Sequence, residues 1–175
     1  MGLVEVSDVQ FNSERDSALD PFEFVVTFES RANLQEELDW RLIYVGDPTD
    51  TSEDQELECI SLGPITAGHL RFTMIADPPD FTKIDPDDAH GMTVVLLTAS
   101  YREQEFLRIG WFVRNVYEDP DVEANPPPEL DLQNLRRVVH MEEPRVTRFQ
   151  INWDACDENA VSRVLGAAEG DVECA

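Results

Sequence analysis

Residues 91–117, GMTVVLLTASYREQEFLRIGWFVRNVY, limit the possible folds more than any other part of the chain. Two runs, 92–99 and 106–113, are rich in Val, Leu, Ile and aromatic residues, which suit a pleated surface. The polar run Arg102-Glu103-Gln104 between them predicts the turn of a β-hairpin. A three-residue loop pairs Tyr101 with Glu105, and so Thr98 with Arg108, Leu96 with Gly110, Val94 with Phe112 and Met92 with Arg114. Successive side chains point to opposite faces. One face then carries Val95, Leu97, Leu107, Ile109, Trp111 and Val113, a core set. The other carries Met92, Val94, Leu96, Arg108, Phe112 and Arg114. Two arginines beside four apolar groups suit a surface, because buried charge is costly unless paired. A two-residue loop would set Leu97 beside Arg108 and mix charge into the apolar face, so the three-residue register is preferred. An apolar outer sheet face is the kind of surface that holds another protein.

The 175 residues predict one domain with a substantial core, and a hydrophobic content of 42% argues against general disorder. There are 37 acidic and 13 basic residues, for a formal charge of −24. Residues 155–175 hold 5 of the acids and one arginine, which leaves 32 against 12 on residues 1–154. The charge therefore belongs to the predicted body. Its field repels nucleic acid and anionic membrane and attracts basic partners. Three widely spaced cysteines, Cys59, Cys156 and Cys174, suggest neither a disulfide framework nor a zinc site, and fit a reducing compartment. No signal peptide or membrane-spanning segment is expected.

Alternation recurs along the chain, at 3–6, 22–29, 38–44, 56–62, 70–76, the hairpin and 146–153. Eight or nine short strands separated by turn signals predict an all-β, immunoglobulin-like antiparallel sandwich, with Trp40 in its core. The acidic, proline-rich segments 47–54, 77–90 and 118–129 read as loops. Leu132, Leu135, Val138 and Val139 follow Asp131 at helical spacing and predict one short helix over 131–139. Residues 1–154 are expected to form the core and 155–175 a short acidic, flexible tail.

Catalytic motifs are absent: there is no GxGxxG, P-loop, HExxH or GxSxG. His69, His90 and His140 lack ligand spacing and read as solvated surface residues. Asp85, Asp87 and Asp88 could touch a cation but lack the Gly and distal Glu of a calcium loop. No enzyme, cofactor or metal site is expected. Two acidic groupings remain. Asp50, Glu53, Asp54, Asp87 and Asp88 could rim the apolar hairpin face, as charged groups rim many interfaces. Glu36, Glu37, Glu56 and Glu58 could accept a basic, extended peptide by strand addition. Each also reads as an ordinary solvated face.

Several strings match a known family: DPFEF at 20–24, LDWRLIYVG at 38–46, GPITAG at 63–68, GMTVVLLT at 91–98, YREQEF at 101–106, EANPP at 123–127 and PRVTRFQINW at 144–153. Over roughly residues 3–154 the chain resembles the anti-silencing-function histone chaperones, which bind the histone H3–H4 heterodimer. The resemblance implies a nuclear, non-enzymatic protein, monomeric alone and with a cytosolic pool, that blocks H3–H4 tetramerisation during nucleosome assembly and disassembly. It implies Val94 as the central apolar histone contact, with Met92, Leu96 and Phe112 around it, Val45 at the rim, and Asp54, Asp88 and Arg108 as charged contacts. Arg145 and Thr147 would lie where the H4 C-terminal segment adds as a strand. Glu36, Glu37, Glu58, Leu62 and Phe72 would take a basic peptide from the histone regulator A family or chromatin assembly factor. The chain departs from the family pattern at Glu103, where Gly is usual, at Trp111 and Phe112, where Tyr is usual, and at Glu37, where Asp is usual. The rival reading is a general acidic adaptor that binds basic peptides by strand addition.

Overall fold

The structure is a computed structural model that describes residues 2–12 and 17–153. The expected tail at 155–175 lies outside the described residues. The strands are β1 (Val4–Phe11), β2 (Phe22–Ser30), β3 (Leu38–Tyr44), β4 (Gln55–Leu62), β5 (Gly68–Ala76), β6 (Gly91–Tyr101), β7 (Gln104–Tyr117) and β8 (Leu135–Arg148). They form a three-stranded sheet, β1-β2-β5, and a five-stranded sheet, β4-β3-β6-β7-β8, with every pairing antiparallel. This is the all-β sandwich that the alternation predicts.

The core follows from strict period two. On β2, Phe22, Phe24, Val26 and Phe28 are fully buried while the residues between them are only half-buried. Phe24 stacks on Trp111 at 5.2 Å, and Phe28 meets Trp40 at 5.3 Å across the two sheets. Burying one such side chain contributes about 1.5–3 kcal/mol, so these pairs fix which face of each sheet turns inward. The buried Arg137 closes one end, with its guanidinium 3.9 Å from the Phe22 ring centroid. It donates hydrogen bonds to the Asp20 and Pro21 carbonyls at 2.6 and 3.1 Å.

The hairpin keeps its expected register by a different route. The turn has two residues, Arg102 and Glu103, both in the left-handed region (φ 53° and 64°), and Tyr101 pairs with Gln104. A register shift between Ala99 and Ser100 then adds one residue on β7, so that Thr98 still pairs with Arg108 and Val94 with Phe112. Two-residue turns with positive φ match the twist of the strands, and the bulge restores the faces.

Four expectations fail. Residues 131–139 form no helix, because Leu135–Arg148 is strand β8, with Leu135 and Arg137 inward and Val138 outward. Pairing with β7 from Tyr117 to Phe112 decides the matter over a short apolar spacing that suits either structure. The strand expected over 146–153 ends at Arg148, although the Phe149 N–H still donates to the Phe106 carbonyl at 2.9 Å. Short helices occur instead in the segments read as loops, α1 (Pro86–Ala89) and α2 (Pro120–Ala124). Each starts Asp-Pro. Asp85 and Asp119 accept the N–H of Asp87 and Asp121 as caps, and the following proline fits the first helical position. Cys59 on β4 is disulfide-bonded, which the odd number and wide spacing of the cysteines did not announce.

Candidate functional site

Four strands of the larger sheet build its outer face. The pairings Val94–Phe112, Leu96–Gly110 and Thr98–Arg108 place these groups in rows across β6 and β7. On β3, Ile43 pairs with Leu96 and joins the face. Val45 is fixed beside it: its N–H donates to the Val94 carbonyl at 3.0 Å, and its carbonyl accepts from the Thr93 hydroxyl. β8 bulges between His140, opposite Phe112, and Arg145, opposite Gly110. That excursion brings Arg145 and Thr147 back onto the same face, with Thr147 opposite Arg108.

The result is a hollow of about 120 Å³ lined by Val94, Leu96, Arg108, Gly110, Trp111, Phe112, Arg145 and Thr147. Gly110 makes it possible. A Cβ there would lie 3.1 Å from Leu96 Cδ2 and 3.4 Å from Val94 Cγ1, and so would occupy the floor. The Arg145 guanidinium lies 5.6 Å from the Phe112 centroid, a cation–π contact that keeps a charge at the lip. Met92 is 54% exposed beyond the hollow, and Val94, Leu96 and Phe112 are half-buried.

Acidic groups rim this face. Asp54 follows the 3₁₀ turn Thr51–Glu53, and Asp88 lies on α1. Burial pushes the Asp54 carboxyl above its ordinary range, with Asp50 adding to the shift and Arg108 opposing it. Among the described residues, Asp54 Oδ1 is buried without a hydrogen-bond partner. Asp88 is likewise raised, first by desolvation and then by Asp47, Asp85 and Asp87. Such a rim favours a cationic partner.

The second grouping lies at the opposite edge of the sheet. Among the described residues β4 pairs only with β3, so no described strand covers its outer backbone edge. Glu58, Ile60 and Leu62 pair with the core-facing Leu42, Trp40 and Leu38, and so turn toward the seam with β5. Phe72 stands in that seam, 5.0 Å from Trp40. Glu36 and Glu37 immediately precede Leu38, the residue paired with Leu62. Glu36 meets Arg102 at 3.4 Å, and its N–H donates to the Tyr101 hydroxyl.

The expected site residues thus fall into two groups, one around the outer face of the central strands β6 and β7 and one at the β4 edge beside β5. Gly110 and Ile43 were missed, although alternation places both on the outer face. Two of the three histidines differ from expectation. His69 is exposed, but half-buried His90 bonds Glu123 at 2.9 Å, and His140 meets Glu142 at 3.2 Å. Asp85 serves as a helix cap, and no group of three or more metal-ligating side chains occurs among the described residues.

A sandwich with an apolar, charge-rimmed hollow on one outer face defines a protein-binding domain. The family described as ASF1-like histone chaperones matches residues 1–154. Histone chaperone ASF1 of Mycosarcoma maydis is 44% identical over 97% of this chain and 98% of that protein. Histone chaperone asf1 of Drosophila melanogaster is 45% identical over 88% of the chain and 71% of its own length. For ASF1B of Mus musculus the identity is 42%, over 88% and 76%. The chain belongs to the ASF1-like histone chaperone family, whose members are non-enzymatic binding proteins.

Proposed function

We propose that this histone chaperone binds the H3–H4 heterodimer through the outer face of β6 and β7 and blocks its tetramerisation. The hollow at Gly110 is the observation that carries the reading. It offers an apolar seat for a projecting side chain, with Val94, Leu96 and Phe112 around it and carboxylates within the rim. The partner's apolar group would replace the contact that joins two H3 chains, while Asp54 and Asp88 neutralise histone cations. Arg108 would meet a histone carboxylate. Arg145 and Thr147 would receive the H4 C-terminal segment, and Val45 and Met92 would extend the contact at the margin. Such a protein acts in the nucleus, with a cytosolic pool, in nucleosome assembly and disassembly, and is monomeric alone.

The β4 edge supports a second partner. Glu36, Glu37 and Glu58 beside Leu62 and Phe72 suit an extended peptide that alternates basic and apolar residues, of the kind carried by histone regulator A proteins or chromatin assembly factor.

Light scattering on a mixture with refolded H3–H4 tests the first reading. A 1:1:1 complex is the expected result. A complex that retains two copies each of H3 and H4 would overturn tetramer blocking. Equal binding of an unrelated basic protein would favour a general acidic adaptor instead.

A further inference from the structure

The two glutamates at the β4 edge are not equivalent. The side chain of Arg102 reaches back from the hairpin turn to Glu36, with Nη2 and Oε1 3.4 Å apart. That arginine is only 14% exposed, so the pair is partly sheltered from solvent. Its backbone lies in the left-handed region at φ 53°. The Glu36 backbone is also held, because its N–H donates to the hydroxyl of fully buried Tyr101 at 3.3 Å. Trp153 stacks on Tyr101 at 5.3 Å and fixes that ring in turn. Both the chain and the carboxylate of Glu36 are therefore tied to the end of the hairpin.

Glu37 is placed differently. A Cβ on Gly63 would lie 2.7 Å from Glu37 Cγ and 3.0 Å from its Cα, so this residue lies across a bare glycine. It is exposed, and among the described residues no cation stands within ion-pair distance of it. One carboxylate is matched by an internal cation while its neighbour is uncommitted.

We propose that Arg102 is a specificity-determining residue of the second site, an internal cation that a basic peptide must displace to gain Glu36. This rests on the reading of the β4 edge as a basic-peptide site. Glu37 makes the first contact. Glu36 adds affinity only for a peptide whose own cation out-competes Arg102, so the site discriminates against weakly basic segments. An arginine, with a planar fork that can take both carboxylate oxygens, displaces Arg102 better than a lysine does.

The test uses an end-blocked decapeptide alternating arginine with isoleucine, and its lysine counterpart, titrated by fluorescence anisotropy. Arg102→Met keeps the packing and removes the charge. It is expected to tighten both peptides by roughly two- to fivefold, the range of a partly exposed ion pair, and the lysine peptide more. Arg102→Lys, a weaker competitor for Glu36, should fall between the wild type and Arg102→Met. In a Glu36→Gln background, Arg102→Met should tighten the peptides less than it does beside Glu36. A peptide that needs Glu37 but is indifferent to Arg102→Met, or weakened by it, overturns the inference alone. Failure of the arginine peptide to bind the wild type, or binding unaffected by Glu37→Ala, overturns the site reading and the inference with it. A melting curve for each variant separates these outcomes from misfolding.

Discussion

The two proposed surfaces share one sheet but differ in what they leave open. The hollow lies over β6 and β7, central strands whose backbone hydrogen bonds are used by their neighbours. Recognition there depends on side-chain shape and on few positions. Among the described residues no strand pairs with the outer edge of β4, so a partner could bind there through its main chain, and any one carboxylate would matter less. A central face concentrates binding energy, and an edge spreads it. Single substitutions should therefore act strongly on the first surface and weakly on the second.

The largest expected effect is at Val94. Val94→Arg places an unpaired charge at the margin of the hollow and should cost about 2 kcal/mol or more of H3–H4 affinity, as central interface residues do. Binding of a basic peptide should be unchanged. Near-wild-type histone affinity in a folded variant would remove Val94 from the centre. Gly110→Ala is next. Its Cβ fills the floor and should weaken H3–H4 by about 1 kcal/mol, the size of a modest overpacking. An unchanged titration would mean that no histone group enters the hollow.

The paired change Glu36→Ala with Glu37→Ala should weaken basic-peptide binding by about 0.5–1 kcal/mol, less at high salt, and leave H3–H4 binding alone. A histone loss of similar size would merge the two surfaces into one. Asp54 gives the smallest effect. Its carboxyl is raised by burial, so it takes up a proton as pH falls before an ordinary aspartate near pH 4 does. The attraction of a charged Asp54 for a basic partner is present above that raised pKa and lost below it. H3–H4 affinity should begin to fall at mildly acid pH, and Asp54→Asn should flatten this early part of the profile. The same sign makes charged Asp54 unfavourable for the free fold, so Asp54→Asn should raise the melting temperature at neutral pH and gain less at acid pH.

Much of the outer face proposed to bind histones is legible in the sequence because period two is a strong signal. Val94, Leu96, Phe112 and Arg108 fell on one face by alternation alone. The turn was misread, since Glu103 stands at positive φ where glycine is the ordinary choice, yet the bulge beside Ser100 compensated by one residue. The placement of Arg145 was not legible from periodicity, because it depends on the excursion of β8 between His140 and Arg145. Residues 131–139 were misassigned for a related reason. Leu132, Leu135 and Val139 have a spacing compatible with a helix, and only the long-range partner β7 selects the strand. The short helices are readable from Asp85-Pro86 and Asp119-Pro120, but the acidic, proline-rich composition around them also suits loops. The tie between Glu36 and Arg102 spans 66 positions, and no local pattern reports it.

Methyl NMR of the chain, labelled at Ile, Leu, Val and Met and titrated with H3–H4, tests the central claim most directly. The account predicts that Met92, Val94, Leu96 and Ile43 shift or broaden first, while Leu62 stays in place. Perturbation centred on Leu62 and Ile60, with Val94 unmoved, would contradict it and transfer histone binding to the β4 edge.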